Sequence, residues 1–475
     1  MLWWYARGLA LLVPEAVVVS TLLATAARTL SRQPMLRHIT SRISFSETLR
    51  WGFLLLLPAA VVGSVAAWPG FRTLSVFRLL YVALAVGVIC WLLNERRLPI
   101  TLHVAPFLWF LAFWVAWSLV SLVWAADRAE GIRHSIFLLM MVSLSGGAVL
   151  ALNRAWALRA ALLFLMLVFA IALGIGFLEI TTDFRLPTSA LVGLPERYQW
   201  AATSFFYNQN DFATYIALWL PLLLAVPFFT QRTFYLLAAA LGSFASALCL
   251  LYTGSRANLL AFMLAIPSLL FILALRRRTI SARWQWTLGV ALITAVACTI
   301  YLGTIGRLPI LQPPEIGVQH WRFATLEAEM DAGTGSGGTR MKLLAGGLAV
   351  TLESRLLGVG PGNAEYHLQR IPGLEKVYSL HNWWLEVLVT GGLFVFVGYL
   401  IFFAGLLYAL FRVATRSADG LLAFTATALF AALIGYTIGA LAPSSASHFT
   451  PMWIHFGLGL ATINLYRDER GHGRV

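Results

Sequence analysis

Apolar runs of about twenty residues recur along almost the whole chain, and few of them hold a charge. A stretch of that length crosses a bilayer as a helix, because only a helix satisfies its own backbone groups where no water reaches. Candidate spans fall at 51–68, 77–93, 104–124, 134–152, 158–179, 211–229, 233–252, 257–275, 284–303, 382–411, 420–442 and 449–466. The fold class is therefore all-α, a polytopic transmembrane helix bundle of about 12 spans with one long extracytoplasmic loop. The 382–411 run exceeds the usual length, so tilting or projection beyond the lipid is expected. At 60% hydrophobic and 11% charged, the composition excludes a soluble domain.

A net charge of +14 first suggests nucleic acid, but the Lys and Arg residues gather at helix ends. Nineteen lie in one set of alternating short loops and seven in the opposite set: Arg72, Arg78, Arg128, Arg133, Arg185, Arg197 and Arg256. Basic loops mark the cytoplasmic edge, so the poorer set faces outside and no nucleic-acid partner is expected. The chain divides into a cytoplasmic or interfacial segment at 1–50, helices at 51–303, a loop at 304–381, helices at 382–466 and a tail at 467–475. Within the first segment, 8–27 offers an extra span interrupted by Pro14 and Glu15. Cys90, Cys249 and Cys298 all fall in apolar runs, so no disulfide framework or thiolate metal site is expected.

The 304–381 loop holds most of the extramembrane polar chemistry, and an elaborated loop on a rigid bundle is where function concentrates. Its 340–357 stretch reads as a helix, with Met341, Leu344, Leu348, Leu352 and Leu356 three or four apart. That stripe suits the membrane surface or packing on the bundle equally well. Glycines at 333–338 read as a hinge before it, and Gly358 as its stop. The turn from Gly358 to Asn363 lacks a phosphate-loop lysine and is expected to permit close backbone approach.

Three segments at outer helix starts carry candidate chemistry. His381 opens His381-Asn382-Trp383-Trp384-Leu385-Glu386, where the helix dipole favours a neutral imidazole able to take a hydroxyl proton. Asn382 and Glu386 are four apart and share a face. Thr253-Gly254-Ser255-Arg256-Ala257-Asn258 offers an anion site or a headgroup anchor. Tyr207-Asn208-Gln209-Asn210-Asp211 reads first as a helix cap and second as a polar contact to a sugar. The histidines are too scattered for a metal site. A transporter is the rival class, with His455 as its one clear intramembrane candidate.

These segments together resemble the O-antigen ligase and polymerase superfamily of bacterial membrane glycosyltransferases. The strongest match runs from Arg340 through Gly358-Val359-Gly360-Pro361-Gly362-Asn363 and His381-Asn382 to Gly391-Gly392. Asn208-Gln209-Asn210-Asp211 is similar to the family's Asn-x-Asn-Asp motif, and Ser255-Arg256 to its serine-arginine step. Many members carry an arginine where this chain has Ala201, with Arg197 as the nearest substitute. The resemblance implies a metal-independent transferase without cofactor, in the bacterial inner membrane, acting on its outer face. It implies a glycan donor carried on undecaprenyl pyrophosphate and passed to a hydroxyl of lipid A–core, as in ligases, or of another glycan, as in polymerases. It makes His381 the base and Arg256, Arg340 and Arg197 the pyrophosphate ligands, with Asn208, Asn210, Asp211, Asn382 and Glu386 supporting. The length of the single histidine-bearing loop favours the ligase.

Overall fold

The computed structural model describes residues 45–63, 67–68, 71–94, 100–182, 184–193, 201–276, 335–372, 374, 379–443 and 448–472. Arg197, Cys298, the 1–44 segment, the 284–303 span and the first part of the long loop lie outside these residues. Helices dominate: α1 (Phe45–Val62), α2 (Val76–Asn94), α3 (Ala105–Val120), α4 (Arg128–Ala151), α5 (Ala155–Thr181), α6 (Gln209–Phe229), α7 (Thr233–Thr253) and α8 (Arg256–Leu275) come first. After the gap come α9 (Gly335–Glu353), α10 (Ala364–Leu368), α11 (Trp383–Arg416), α12 (Gly420–Gly439) and α13 (Thr450–His472). A short antiparallel ribbon, β1 (Ala67–Trp68) with β2 (Phe71–Ser75), joins α1 to α2. Eight helices among the described residues are long and apolar enough to cross a membrane.

Their surfaces are inverted relative to a soluble protein. Trp109, Leu167, Phe394 and Ile401 lie 61–75% exposed on spans, as lipid-facing side chains do. The polar helix α13 sits inside instead, where Trp453 and Phe456 are fully buried and the Ser145 hydroxyl donates to the Trp453 carbonyl at 2.7 Å. Enclosure by protein is what lets its Asn464 and Thr462 lie at membrane depth. At the arginine-rich face, Arg50 donates to the Ala151 carbonyl (2.9 Å) and Arg276 to those of Ala414 (2.5 Å) and Ser417 (3.1 Å). These guanidiniums satisfy the carbonyl ends of helices.

Two close approaches position the opposite face. On α12, Gly435 and Gly439 lie four residues apart, and α8 packs against them. A Cβ at Gly435 would stand 2.6 Å from the Ala261 carbonyl oxygen, and one at Gly439 would stand 3.1 Å from Asn258 Oδ1. Small residues at this spacing let two membrane helices touch backbone to backbone. The second approach explains the overlong 382–411 run. Rather than only tilting, α11 breaks at Gly392 (φ 74°, ψ −177°). The amides of Val359 and Gly360 donate to the carbonyls of Val389 and Thr390 at 2.9 and 3.1 Å, and the Leu393 amide donates to the Leu356 carbonyl at 2.8 Å. The glycine turn thus completes the hydrogen bonds that the break leaves open.

α9 corrects two expectations. It starts at Gly335, so the glycines from there to Gly338 are helical and no hinge, and it ends at Glu353 because Arg355 and Leu356 take left-handed angles. It docks on the bundle through Leu343, Gly346, Gly347, Val350 and Thr351, leaving Met341, Leu344, Leu348 and Leu352 exposed. A Cβ at Gly347 would lie 2.9 Å from Leu385, so the small face sets the distance to α11.

The expected close approach at the turn is open to test. At Gly358 φ is +81°, and a Cβ would lie 2.6 Å from the Thr390 carbonyl oxygen. Gly358→Ala is expected to lower the stability of the detergent-purified protein by about 1–3 kcal/mol, read as its thermal transition. Gly146→Ala, whose nearest neighbour is 3.7 Å away, should leave the transition unchanged or raised.

Candidate active site

The face holding the starts of α4, α6, α8, α11 and α13 gathers most of the residues singled out in the sequence. Asn382 caps α11, its side chain accepting from the Leu385 amide at 3.2 Å. The Trp383 amide donates to the Ala440 carbonyl at 2.8 Å, so α11 begins against the end of α12. His381, just before the cap, is held at φ +46°, a costly conformation for a residue with a side chain. Its imidazole is half-buried, and Nδ1 makes no hydrogen bond within the protein. Burial lowers its pKa from the ordinary value, and Arg340 lowers it further, against a smaller opposing effect from a hydrogen bond with the Ala442 backbone. The imidazole is neutral at neutral pH, through burial and a cation rather than the dipole alone.

Arg340 comes from α9 and Arg256 from the first turn of α8. Burial and then the charge of Arg256 lower the Arg340 pKa, yet a guanidinium stays protonated in a protein. Two cations from different helices are therefore held within electrostatic reach of each other, and one of them within reach of His381. Such an arrangement is suited to a multiply charged anion.

α6 begins beside α8. Asn208 is its N-cap: Oδ1 accepts from the Asp211 amide at 2.9 Å, and Nδ2 donates to Asp211 Oδ2 at 2.8 Å. The Asn210 carbonyl accepts from the Thr214 hydroxyl at 2.8 Å and from Asn258 Nδ2 at 3.4 Å. Fully buried Asn258 also donates to Thr214 Oγ1 and Ser255 Oγ, both at 3.0 Å, joining the two helix starts. Glu386 lines a small cavity with Trp117, His134, Gly362 and Thr390. Glu386 and Asp211 both lie within electrostatic reach of the buried Tyr436 hydroxyl.

Sequence reasoning passed over several groups here. Buried Glu179 accepts from the amides of Thr203 and Ser204, both at 2.7 Å, and from the Thr203 hydroxyl at 3.1 Å, shaping the approach to Asn208. Its one signal was a lone acid ending an apolar run. Ala201, where the resemblance expects an arginine, is a buried alanine, 1% exposed. His134 and His448 meet edge to face at 4.7 Å, with Glu130 3.4 Å from His134. His455 serves structure: its nitrogens face the Pro451 and Leu218 carbonyls at 2.9 and 3.0 Å, pinning α13 to α6. Among the described residues no group of three or more His, Cys, Asp or Glu is placed to hold a metal ion.

The sequence model of the O-antigen ligase family matches residues 241–400, which contain Arg256, Arg340, the glycine turn and His381. The teichuronic acid biosynthesis protein TuaE of Bacillus subtilis (strain 168) is 29% identical over 417 residues, 84% of this chain and 81% of that protein. Both findings support the likeness to the O-antigen ligase and polymerase superfamily. The proteins it is similar to are of ligase or polymerase type and serve polysaccharide biosynthesis, and its eight long apolar helices among the described residues make it a multi-pass membrane protein. The Asn208-Gln209-Asn210-Asp211 segment lies before the matched stretch, and its first asparagine does structural work as a helix cap. Asn208→Ala is expected to cost about 1 kcal/mol of stability, whereas Asn208→Ser keeps a capping oxygen and most of that stability; thermal unfolding of the purified variants reads the difference.

Proposed function

We propose that the protein transfers a glycan from undecaprenyl pyrophosphate to an acceptor hydroxyl at the outer face of the bacterial inner membrane. One observation carries the reading: Arg256, Arg340 and a neutral His381 converge from α8, α9 and the start of α11. In the reaction the acceptor oxygen bonds the anomeric carbon as the bond from that carbon to the phosphate oxygen breaks. His381 accepts the hydroxyl proton, and the two guanidiniums stabilise the negative charge left on the departing lipid pyrophosphate. The outward orientation is supported by the basic loops, nineteen Lys and Arg against seven, which put the His381 face away from the cytoplasm.

Two acceptors remain. The name of the Bacillus subtilis relative favours a growing polysaccharide, and hence a polymerase. The matched family's description favours ligation, with lipid A–core as the acceptor. Disrupting the gene separates them: uncapped core beside accumulated long lipid-linked chains marks the ligase, and surface glycan reduced to a single unit marks the polymerase.

His381→Ala is expected to lower transfer about a hundred- to ten-thousand-fold while the protein stays in the membrane. Arg256→Lys retains charge but loses the planar fork, and should be impaired as well. Near-normal transfer by the histidine variant removes the assignment. The pH profile offers a separate check. The base works when unprotonated and its pKa lies below the ordinary value, so activity falls only on acidification below about pH 6.5. Arg340→Gln removes a cation that resists protonation, so its residual activity should lose its acid limb at higher pH than wild type. An unmoved limb points to another titrating group.

A further inference from the structure

On the same face, beside the arginine pair, a second cavity of about 200 Å³ lies between the end of α1, the turn before α6 and the start of α13. That is room for several waters, and on the scale of a single sugar ring. Its lining mixes the aromatic residues Phe206, Phe449 and Tyr207 with the polar Asp211, His448 and Thr450. Tyr207 is 69% exposed, an aromatic surface offered to whatever enters. We propose that this cavity is a saccharide subsite, holding one uncharged sugar ring of the glycan while Arg256 and Arg340 hold a pyrophosphate.

The lining chemistry selects that class. A pyranose has C–H faces that pack on aromatic rings and a rim of hydroxyls that need acceptors and donors. Asp211 accepts from hydroxyls and repels phosphate. Burial pushes the His448 imidazole down to about 3, so it brings no cation to the cavity. The cavity is therefore the electrostatic opposite of the arginine pair. The two are adjacent, because Asn258, two residues after Arg256, bonds the Asn210 carbonyl next to Asp211. The Glu179 clamp on Thr203 and Ser204 fixes the turn that carries Phe206 and Tyr207. This subsite rests on the transfer reading above and gives it a sugar-binding half.

The test measures equilibrium binding to the full-length, detergent-purified chain. One probe is the repeat-unit oligosaccharide released by mild acid from the source cell's own lipid-linked glycan; the other is inorganic pyrophosphate. Tyr207→Ala removes an exposed ring without disturbing a core, and is expected to weaken oligosaccharide binding about three- to tenfold. Asp211→Asn should weaken it about tenfold or more, while Tyr207→Ala leaves pyrophosphate binding unchanged and Asp211→Asn, having lost a repelling charge, leaves it no weaker. Arg256→Lys should do the reverse. Oligosaccharide binding unaffected by both cavity variants, or absent from wild type, overturns the subsite. If instead pyrophosphate fails to bind while the sugar does, the arginine assignment falls and the cavity stands. If added oligosaccharide is itself extended, the cavity holds the acceptor; if it only competes with the lipid-linked glycan, it holds the donor sugar.

Discussion

In hydrocarbon an unpaired backbone group costs several kcal/mol, and α11 breaks at Gly392. The chain meets that cost by docking its glycine turn into the break. Val359 and Gly360 take up the carbonyls of Val389 and Thr390, and Leu356 receives the Leu393 amide. The turn is held from its other side too, where Asn363 Oδ1 accepts from the Asp127 amide at 2.7 Å and the Gly358 carbonyl accepts from the Trp124 indole at 2.8 Å. The segment outside the membrane is thereby part of the bundle's own hydrogen bonding. α9, packed on Leu385 through Gly347, inherits a fixed place above α11, and Arg340 with it.

Arg256 reaches the same place by an unrelated device. Gly435 and Gly439 let α8 lie against α12, whose end receives both the Trp383 amide and, through Ala442, the His381 imidazole. Two glycine-built contacts, one between membrane helices and one between a loop and a broken helix, thus converge on one helix start. Neither involves a charged residue, so the reactive groups are left for chemistry while small residues set their positions.

This explains what the sequence disclosed. Long apolar runs announce spans, and a histidine or arginine at a helix start announces itself by being out of place in lipid. Small residues carry no such signal. The Met341–Leu344–Leu348–Leu352 stripe was read correctly as one face of a helix, but glycines drew the docking onto another face. Gly391-Gly392 was legible as a motif and illegible as a break, since its partners lie more than thirty residues earlier. The Asn208 cap followed from local rules. The cavity beside Asp211 did not, because its walls come from three distant stretches of chain.

The like charges of Arg256 and Arg340 carry a thermodynamic corollary. One belongs to the bundle and the other to a helix outside it, so the repulsion between them opposes the seating of that helix. A dianion lodged between them reverses the sign of that contribution. On the transfer reading proposed above, occupancy and seating reinforce each other, the anion acting as mortar between two parts of one chain.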